Sequence, residues 1–393
     1  MAEYRFIVPL DVLYLRGNRL FGSPGDHGEA LMPPWPSVAA GALRARMLAD
    51  AGITELERYR ERAVELGPLE PVLGWPDAPG SFRLSTFTLA RRARPGDPVE
   101  ALWPLPADLV PEPRRDRKNI GAVHRLEPAP LPPGVETSLE LAQAPLLRAT
   151  RPFKPAAGWW LCAAGLEQYL RGGVPDTAQH VPERRLWRLD RRLGIALAPD
   201  TATAAESRIY TAETVAMSHD GEAEVGFLAG VEGATGCLPA RGLLRLGGDG
   251  RAAALCPCEP VLPQTDLEAV ARDGRLRLVL ATPGLFADGW RLPGLAEDGS
   301  TWRGPDGMRA RLVAAAVPRP RVISGWDLAR WRPKPALRAA PSGSVYWLDR
   351  LEGDAAALDK LAAEGLWAIS DYPDRQRRAE GFNHVLIAAW PRH

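Results

Sequence analysis

The sequence predicts an α+β protein made of two sandwiches, each a β-sheet covered on one face by helices. Three observations lead there. The chain has 393 residues, which is two to three domains at the usual size of roughly 150 residues each. Strand-like and helix-like segments interleave along its whole length instead of segregating. A long hairpin of two extended runs interrupts the first half. The composition is 46% hydrophobic and 25% charged, which suits a chain that buries cores and not a disordered one.

Residues 4–15 read as a strand, with Phe6, Val8, Leu10 and Val12 alternating onto one face. A loop rich in glycine and arginine follows at 16–28. Pro36 and Ser37 then open a helix that runs to about Ala51, with Ser37 placed to cap it. Gly41 inside that helix is unfavourable by roughly 1 kcal/mol relative to alanine, so it implies close packing against a neighbour. A second helix is expected over 54–66 and a strand over 81–91. From 94 to 134 the chain is dense in Pro, Arg and Gly and reads as a long insertion or loop.

Trp187–Leu197 and 208–217 form the hairpin, around a tip of small and polar residues at 198–206. Residues 225–231 are strand-like and precede an expected short helical piece, and 244–255 is a run broken by Gly247, Gly248 and Gly250. The second half repeats the style, with strands at 275–281, 309–316, 343–348 and 385–390 and a helix at 354–365. No internal sequence repeat is visible. The domain boundary is placed near Pro263, giving an N-terminal domain 1–262, with the insertion 94–134 and the hairpin 187–217, and a C-terminal domain 263–393.

Several function classes drop out on composition and motif. No apolar stretch approaches the roughly 18–20 residues of a membrane span. Glu3, Arg5 and Asp11 interrupt what a signal peptide would need. Four cysteines are too few for a disulfide framework and fit a reducing cytoplasm. Cys256-Pro257-Cys258 lacks the second ligand pair that a tetrahedral zinc requires, so neither a metal nor another cofactor is expected. No serine nucleophile elbow, phosphate-binding P-loop or dinucleotide fingerprint is present. His27, in a Gly-rich loop, is the one histidine placed for acid–base chemistry. A loop-ordering role through hydrogen bonds is the competing reading.

The net charge is only +1, but 49 residues are basic, and all are arginine except Lys118, Lys154, Lys334 and Lys360. Codon bias in a GC-rich genome accounts for such a preference. Planar guanidinium groups also suit phosphate recognition and base stacking, and both explanations stand together. The basic residues cluster at 114–118, 148–154, 184–192 and 319–338, with acidic stretches such as 349–364 offsetting them. Local basic stripes on a neutral chain fit a subunit that holds RNA and docks onto protein partners. The glycine-rich turn 246–251 can let a backbone approach a phosphate, with Arg245 and Arg251 adding charge, and a plain turn has the same sequence. Segment 323–348 interleaves Trp326 and Trp331 with Arg330, Arg332, Lys334 and Arg338, as single-strand binders do. A tryptophan-pinned surface or docking loop has the same composition.

Taken in order, PLDVLYLRGNRLF, GDHGEALMPPWPSVAAGALR, RLGIAL with RIYTAETVAM, LRLGGDGR, TPGLFADGW, ISGWDLARWRPKP with PSGSVYWL, and GFNHVLIAAW resemble the RAMP superfamily. Within it they are similar to the branch at the foot of the type III-B CRISPR (Cmr) effector, an antiviral defence complex. The resemblance thins over 94–134. It implies two tandem ferredoxin-like (RRM-like) domains with a thumb-like β-hairpin. It also implies a non-catalytic, cytoplasmic RNA-binding subunit that holds the repeat-derived 5′ tag of the crRNA. The implied partners are the large polymerase/cyclase-like Cmr subunit, the backbone RAMP subunit and, indirectly, target RNA. On this resemblance Arg16, Asn18 and Arg19 contact the tag from the loop after the first strand, and Ser37 and Arg44 face it from the first helix. Arg191 and Arg192 act on the hairpin and Arg245 and Arg251 beside the glycine-rich loop, while Arg332, Lys334 and Arg338 line the tag channel with Trp326 stacking or pinning. The alternative is a metal-independent precursor-crRNA endoribonuclease using His27.

Overall fold

The computed structural model describes residues 2–16, 27–28, 30–116, 118–135, 141, 143–197, 200–201, 203–218, 223–369 and 374–391. They form two compact units, each assembled from three stretches of chain. The first comprises Met1–Val99, Arg184–Glu259 and Val322–Leu337, and the second Glu100–Glu183, Pro260–Arg321 and Arg338–His393. The chain thus passes repeatedly between units. One passage, between Glu259 and Pro260, falls near the expected boundary at Pro263.

In the first unit an antiparallel sheet runs in the order Arg83–Arg92, Glu224–Glu232, Glu3–Pro9, Ala252–Pro257 and Gly242–Arg245. The strand Glu3–Pro9 is central, with neighbours on both edges, and Phe6, Ile7 and Val8 are all buried. The expected one-face alternation therefore does not hold. It fails because a doubly covered strand buries both faces, while Leu10 lies past the strand end and is 58% exposed.

The helix Pro36–Asp50 joins the first strand to Arg83–Arg92. Pro36 occupies its first position, where a missing N–H costs nothing. Trp35 is the capping position, so Ser37 lies inside the first turn and does not cap it. Ala39, Ala40, Leu43 and Met47 make the buried face. Gly41 is exposed, and a Cβ built there meets nothing within 4 Å, so the close packing expected of it is absent. The helix expected over 54–66 is confined to Leu56–Arg60. It is anchored by Tyr59, whose hydroxyl donates to the Gly74 carbonyl at 2.8 Å.

Between Glu224–Glu232 and the next strand there is a turn and no helix. The carbonyls of Leu238 and Pro239 that end this turn accept hydrogen bonds from the buried Arg5 guanidinium at 3.2 and 2.7 Å. A charged side chain in a central strand thus satisfies the buried Leu238 carbonyl and the partly buried Pro239 carbonyl.

The second unit's main sheet runs in the order Thr301–Arg303, Arg309–Ala316, Val345–Glu352, Leu276–Leu280 and Val385–Ala389, again antiparallel throughout. Setting aside the outermost short strand of each sheet, the two units share one order. Numbered along the chain, the four remaining strands lie side by side as second, third, first, fourth. The units differ in which helix they keep. The first retains the helix after its first strand. The second retains Ala355–Glu364 after its third, capped by Asp354, which accepts from the Ala357 N–H at 2.9 Å. Leu358 and Leu361 of that helix pack with Leu278, Leu312, Tyr346 and Ile387 in the core.

The stretch 94–134, expected as insertion or loop, is largely strand: Val99–Pro104, Leu109–Pro113 and Ile120–Ala129. The last two join Ala144–Leu147 in a three-stranded antiparallel sheet with Ile120–Ala129 in the middle. Pro111 and Pro113 lie on an outer strand, the place where a missing donor is tolerated. Their density hid the strand.

One buried ion pair ties the stretches of this unit together. Arg277 Nη1 lies 2.8 Å from Asp108 Oδ2, and neither side chain reaches solvent appreciably. Arg277 also donates to the carbonyls of Tyr169 at 3.1 Å and Ala389 at 2.9 Å, and its guanidinium lies 4.2 Å from the Tyr169 ring centroid. Tyr169 donates its hydroxyl to Asp108 Oδ1 at 2.8 Å. Burial pushes the Asp108 carboxyl up, opposed by Arg277 and then by Tyr169.

Removing one charge leaves the other buried and unpaired, so Arg277→Met should cost about 3–5 kcal/mol, read from denaturant unfolding. The double change Arg277→Met/Asp108→Leu should recover much of that loss. Gly41→Ala should instead stabilise the protein by about 1 kcal/mol, because the exposed site is open and helical.

Candidate nucleic-acid interface

Beyond Pro9 the chain leaves the first unit's sheet, and residues 13–16 are held on several sides. Leu13 exchanges both main-chain hydrogen bonds with Val215, at 2.8 and 2.9 Å. Gly248 donates to the Tyr14 carbonyl at 2.8 Å, and Leu31 donates to that of Leu15 at 2.6 Å. Arg16 is exposed and bridges Ala30. On the return side, His27–Gly28 pairs in parallel with Thr211 and Ala212. The roots of the loop after the first strand, the hairpin and the glycine-rich turn therefore meet at one place.

The turn can approach because Gly247 has φ +79° and no side chain. A Cβ there would lie 2.7 Å from the Tyr14 carbonyl oxygen. The hairpin pairs Trp187–Leu197 with Ala204–Met217, in register from Trp187 opposite Met217 to Ile195 opposite Ile209. Its second strand thus begins at 204 where 208 was expected. Trp187, Ala212 and Val215 anchor its root, while Leu193 farther out is 75% exposed.

The cations expected here are held by carboxylates. Arg191 Nε lies 2.9 Å from Glu213 Oε1 and Arg192 Nε 3.0 Å from Asp190 Oδ2. Arg251 contacts Asp11 at 2.8 Å and Asp249 at 3.2 Å, with its guanidinium 5.1 Å from the Tyr14 ring centroid. The Asp190 hydrogen bond, together with the nearby Asp11 and Tyr14, holds Arg192 above the ordinary arginine value against desolvation. The partners Glu213 of Arg191 and Asp11 of Arg251 are distant in sequence and not legible there, whereas Asp190 and Asp249 lie only two residues from Arg192 and Arg251. Pairs of this kind near the surface orient a guanidinium at little net gain, and a phosphate can take the carboxylate's place on it.

The other expected residues lie apart. Arg44 is half-buried, with its guanidinium 4.8 Å from the Phe82 ring centroid, and Ser37 on the same helix is half-buried. Arg245 is exposed at the end of its strand. Asn18 and Arg19 lie outside the described residues. Trp326 and Arg332 belong to a short strand pair, Trp326–Asp327 with Arg332–Pro333. Its base is closed by the Lys334 N–H on the Gly325 carbonyl at 2.8 Å and the Ser324 hydroxyl on the Lys334 carbonyl at 2.7 Å. Arg338 is exposed on Leu337–Ala340 and counts with the second unit, whereas Arg332 and Lys334 count with the first. Arg60, unremarked in the sequence, sits 5.2 Å from the Trp331 ring centroid.

Cys256 Sγ lies 3.4 Å from Arg92 Nη1, and burial pushes the Cys258 thiol up to about 11. No cluster of three or more potential metal ligands occurs among the described residues. No helix among them is long and apolar enough to cross a membrane.

Fold and surface together define an α+β protein built on two main antiparallel sheets, with arginines on a glycine turn and on a hairpin whose roots meet. The model of the family described as CRISPR-associated protein (Cas_Cmr3) matches residues 5–390, and the chain belongs to this family. Among solved structures it is similar to a chain of the "Type III-B Cmr-beta bound to cognate target RNA", with 15% identity and a TM-score of 0.48, over 98% of this chain and 96% of that one. A chain of the same complex with target RNA and AMPPnP has 14% identity and a TM-score of 0.44, over 95% and 91%. No curated protein matches the sequence.

Gly247→Ala should lower stability by about 1 kcal/mol or more, since the site demands positive φ and close approach. Hydrogen exchange should show weakened protection at the Gly248 amide, which donates to Tyr14.

Proposed function

We propose that the chain is the non-catalytic RNA-binding subunit of a type III-B CRISPR (Cmr) complex. It holds the 5′ tag of the crRNA and caps the backbone where the large polymerase/cyclase-like subunit docks. Family membership over nearly the whole chain supports placement in such a complex. The shared order of strands, second, third, first, fourth, is that of a ferredoxin-like fold and supports two tandem RRM-like domains of the RAMP type. The observation that carries the RNA reading is the meeting of the loop root at Arg16, the hairpin with Arg191 and Arg192, and the turn with Arg251.

These arginines exchange their carboxylates for tag phosphates. Arg332 and Lys334 follow the backbone from the 322–337 segment, and the backbone RAMP subunit continues the channel. Target RNA is met only through the guide.

Affinity purification of the chain from its host should recover many RNAs sharing one short 5′ sequence, together with a large cyclase-like protein. Protein partners without such RNA would sink the reading. Arg192→Ala and Arg251→Ala should each weaken binding of all tagged RNAs alike and reduce the log–log salt slope by roughly 0.7 per lost phosphate contact. His27→Ala should leave the RNA product pattern unchanged; a lost cleavage product would favour the endoribonuclease alternative.

A further inference from the structure

We propose that Trp326 and Trp331 form a stacking corner for one unpaired nucleobase of the guide RNA. This rests on the RNA-binding reading above and assigns the part of the surface that takes a base instead of a phosphate.

The two indoles stand nearly perpendicular, at 82° with ring centroids 5.9 Å apart. They are 51% and 46% exposed, whereas Trp302 and Trp347, which serve the core, are fully buried. A tryptophan that only pins a loop would be expected inside. The backbone makes the same point. Trp331 has φ +53°, a conformation that a bulky residue adopts only with strain and that glycine or asparagine adopts readily. The turn between Trp326–Asp327 and Arg332–Pro333 would close more easily with glycine, so the fold itself does not call for an indole there. Strain kept at an exposed aromatic points to a function for that side chain.

Arg60 orients the ring. Its guanidinium lies 5.2 Å from the Trp331 centroid and is itself fixed by Glu61 at 2.6 Å and Glu57 at 3.5 Å. Arg332 is exposed beside the corner, and Arg330 is held only loosely by Asp327 at 3.9 Å. A flat aromatic face walled by a second ring and flanked by guanidinium groups matches a base with its own phosphate. Two half-exposed indoles offer far less than the roughly 800 Å² per partner of a stable protein interface.

The test uses the full chain and a labelled synthetic RNA carrying the host's 5′ tag, followed by fluorescence anisotropy. Trp331→Ala should weaken binding roughly 5- to 150-fold with an unchanged salt slope, and Trp331→Phe should restore most of it. Replacing tag nucleotides one at a time by abasic sites should reveal one position that weakens the wild type to the same degree and Trp331→Ala no further. Trp331→Gly should lose binding while its Tm is maintained or raised, which separates stacking from folding. Wild-type affinity in Trp331→Ala, or abasic penalties that all add to it, overturns the stacking corner and leaves the RNA-binding reading standing. Absence of RNA binding by the wild type removes both. A Trp331→Ala chain that keeps RNA but loses a co-purifying protein assigns the corner to that partner and overturns the base assignment.

Discussion

The buried pair of Arg277 and Asp108 is the constraint around which the second unit is organised. Asp108 comes from the stretch between the first unit's two early segments, Arg277 from the strand that leads the second half. Neither charge is tolerable alone in a site closed to water, and neither is satisfied by the other alone. Tyr169 and the Ala389 carbonyl complete the coordination, so four separate parts of the chain must arrive together. A hydrophobic cluster could hold the same elements with more latitude; a fully hydrogen-bonded ion network accepts one arrangement only.

Much of the architecture was legible because periodicity and punctuation are local. The strand Arg309–Ala316 and the capped helix Ala355–Glu364 lie where expected, and the hairpin strand Trp187–Leu197 coincides with its prediction. The shared strand order was not legible. Strand order is a property of long-range pairing, and the two sheets keep different helices, so no common stretch of sequence marks their likeness. Prolines misled at 94–134 because proline reads as loop unless the strand is known to be an outer one. Ser37 misled because Pro36 takes the first helical position and moves the cap to Trp35.

At the candidate site, residue type was legible and environment was not. Arg191, Arg192 and Arg251 stand out as cations, and Asp190 and Asp249 lie two residues from Arg192 and Arg251, but Glu213 and Asp11 are brought to Arg191 and Arg251 only by the fold. Trp326 and Trp331 announce a surface role by their arginine neighbours, whereas Arg60 enters from a helix far away in the chain. Sequence composition thus names the chemistry of a surface, and folding decides which members of it work together.

The outer strand Leu109–Pro113 carries a further consequence, for self-association. Pro111 and Pro113 supply no N–H, and the Pro111 carbonyl already accepts the Ala156 amide at 2.9 Å. An incoming strand finds neither a row of donors nor a vacant acceptor at that position, so this margin of the sheet cannot act as a template for another copy. The same prolines that disguise the strand in the sequence keep it from polymerising.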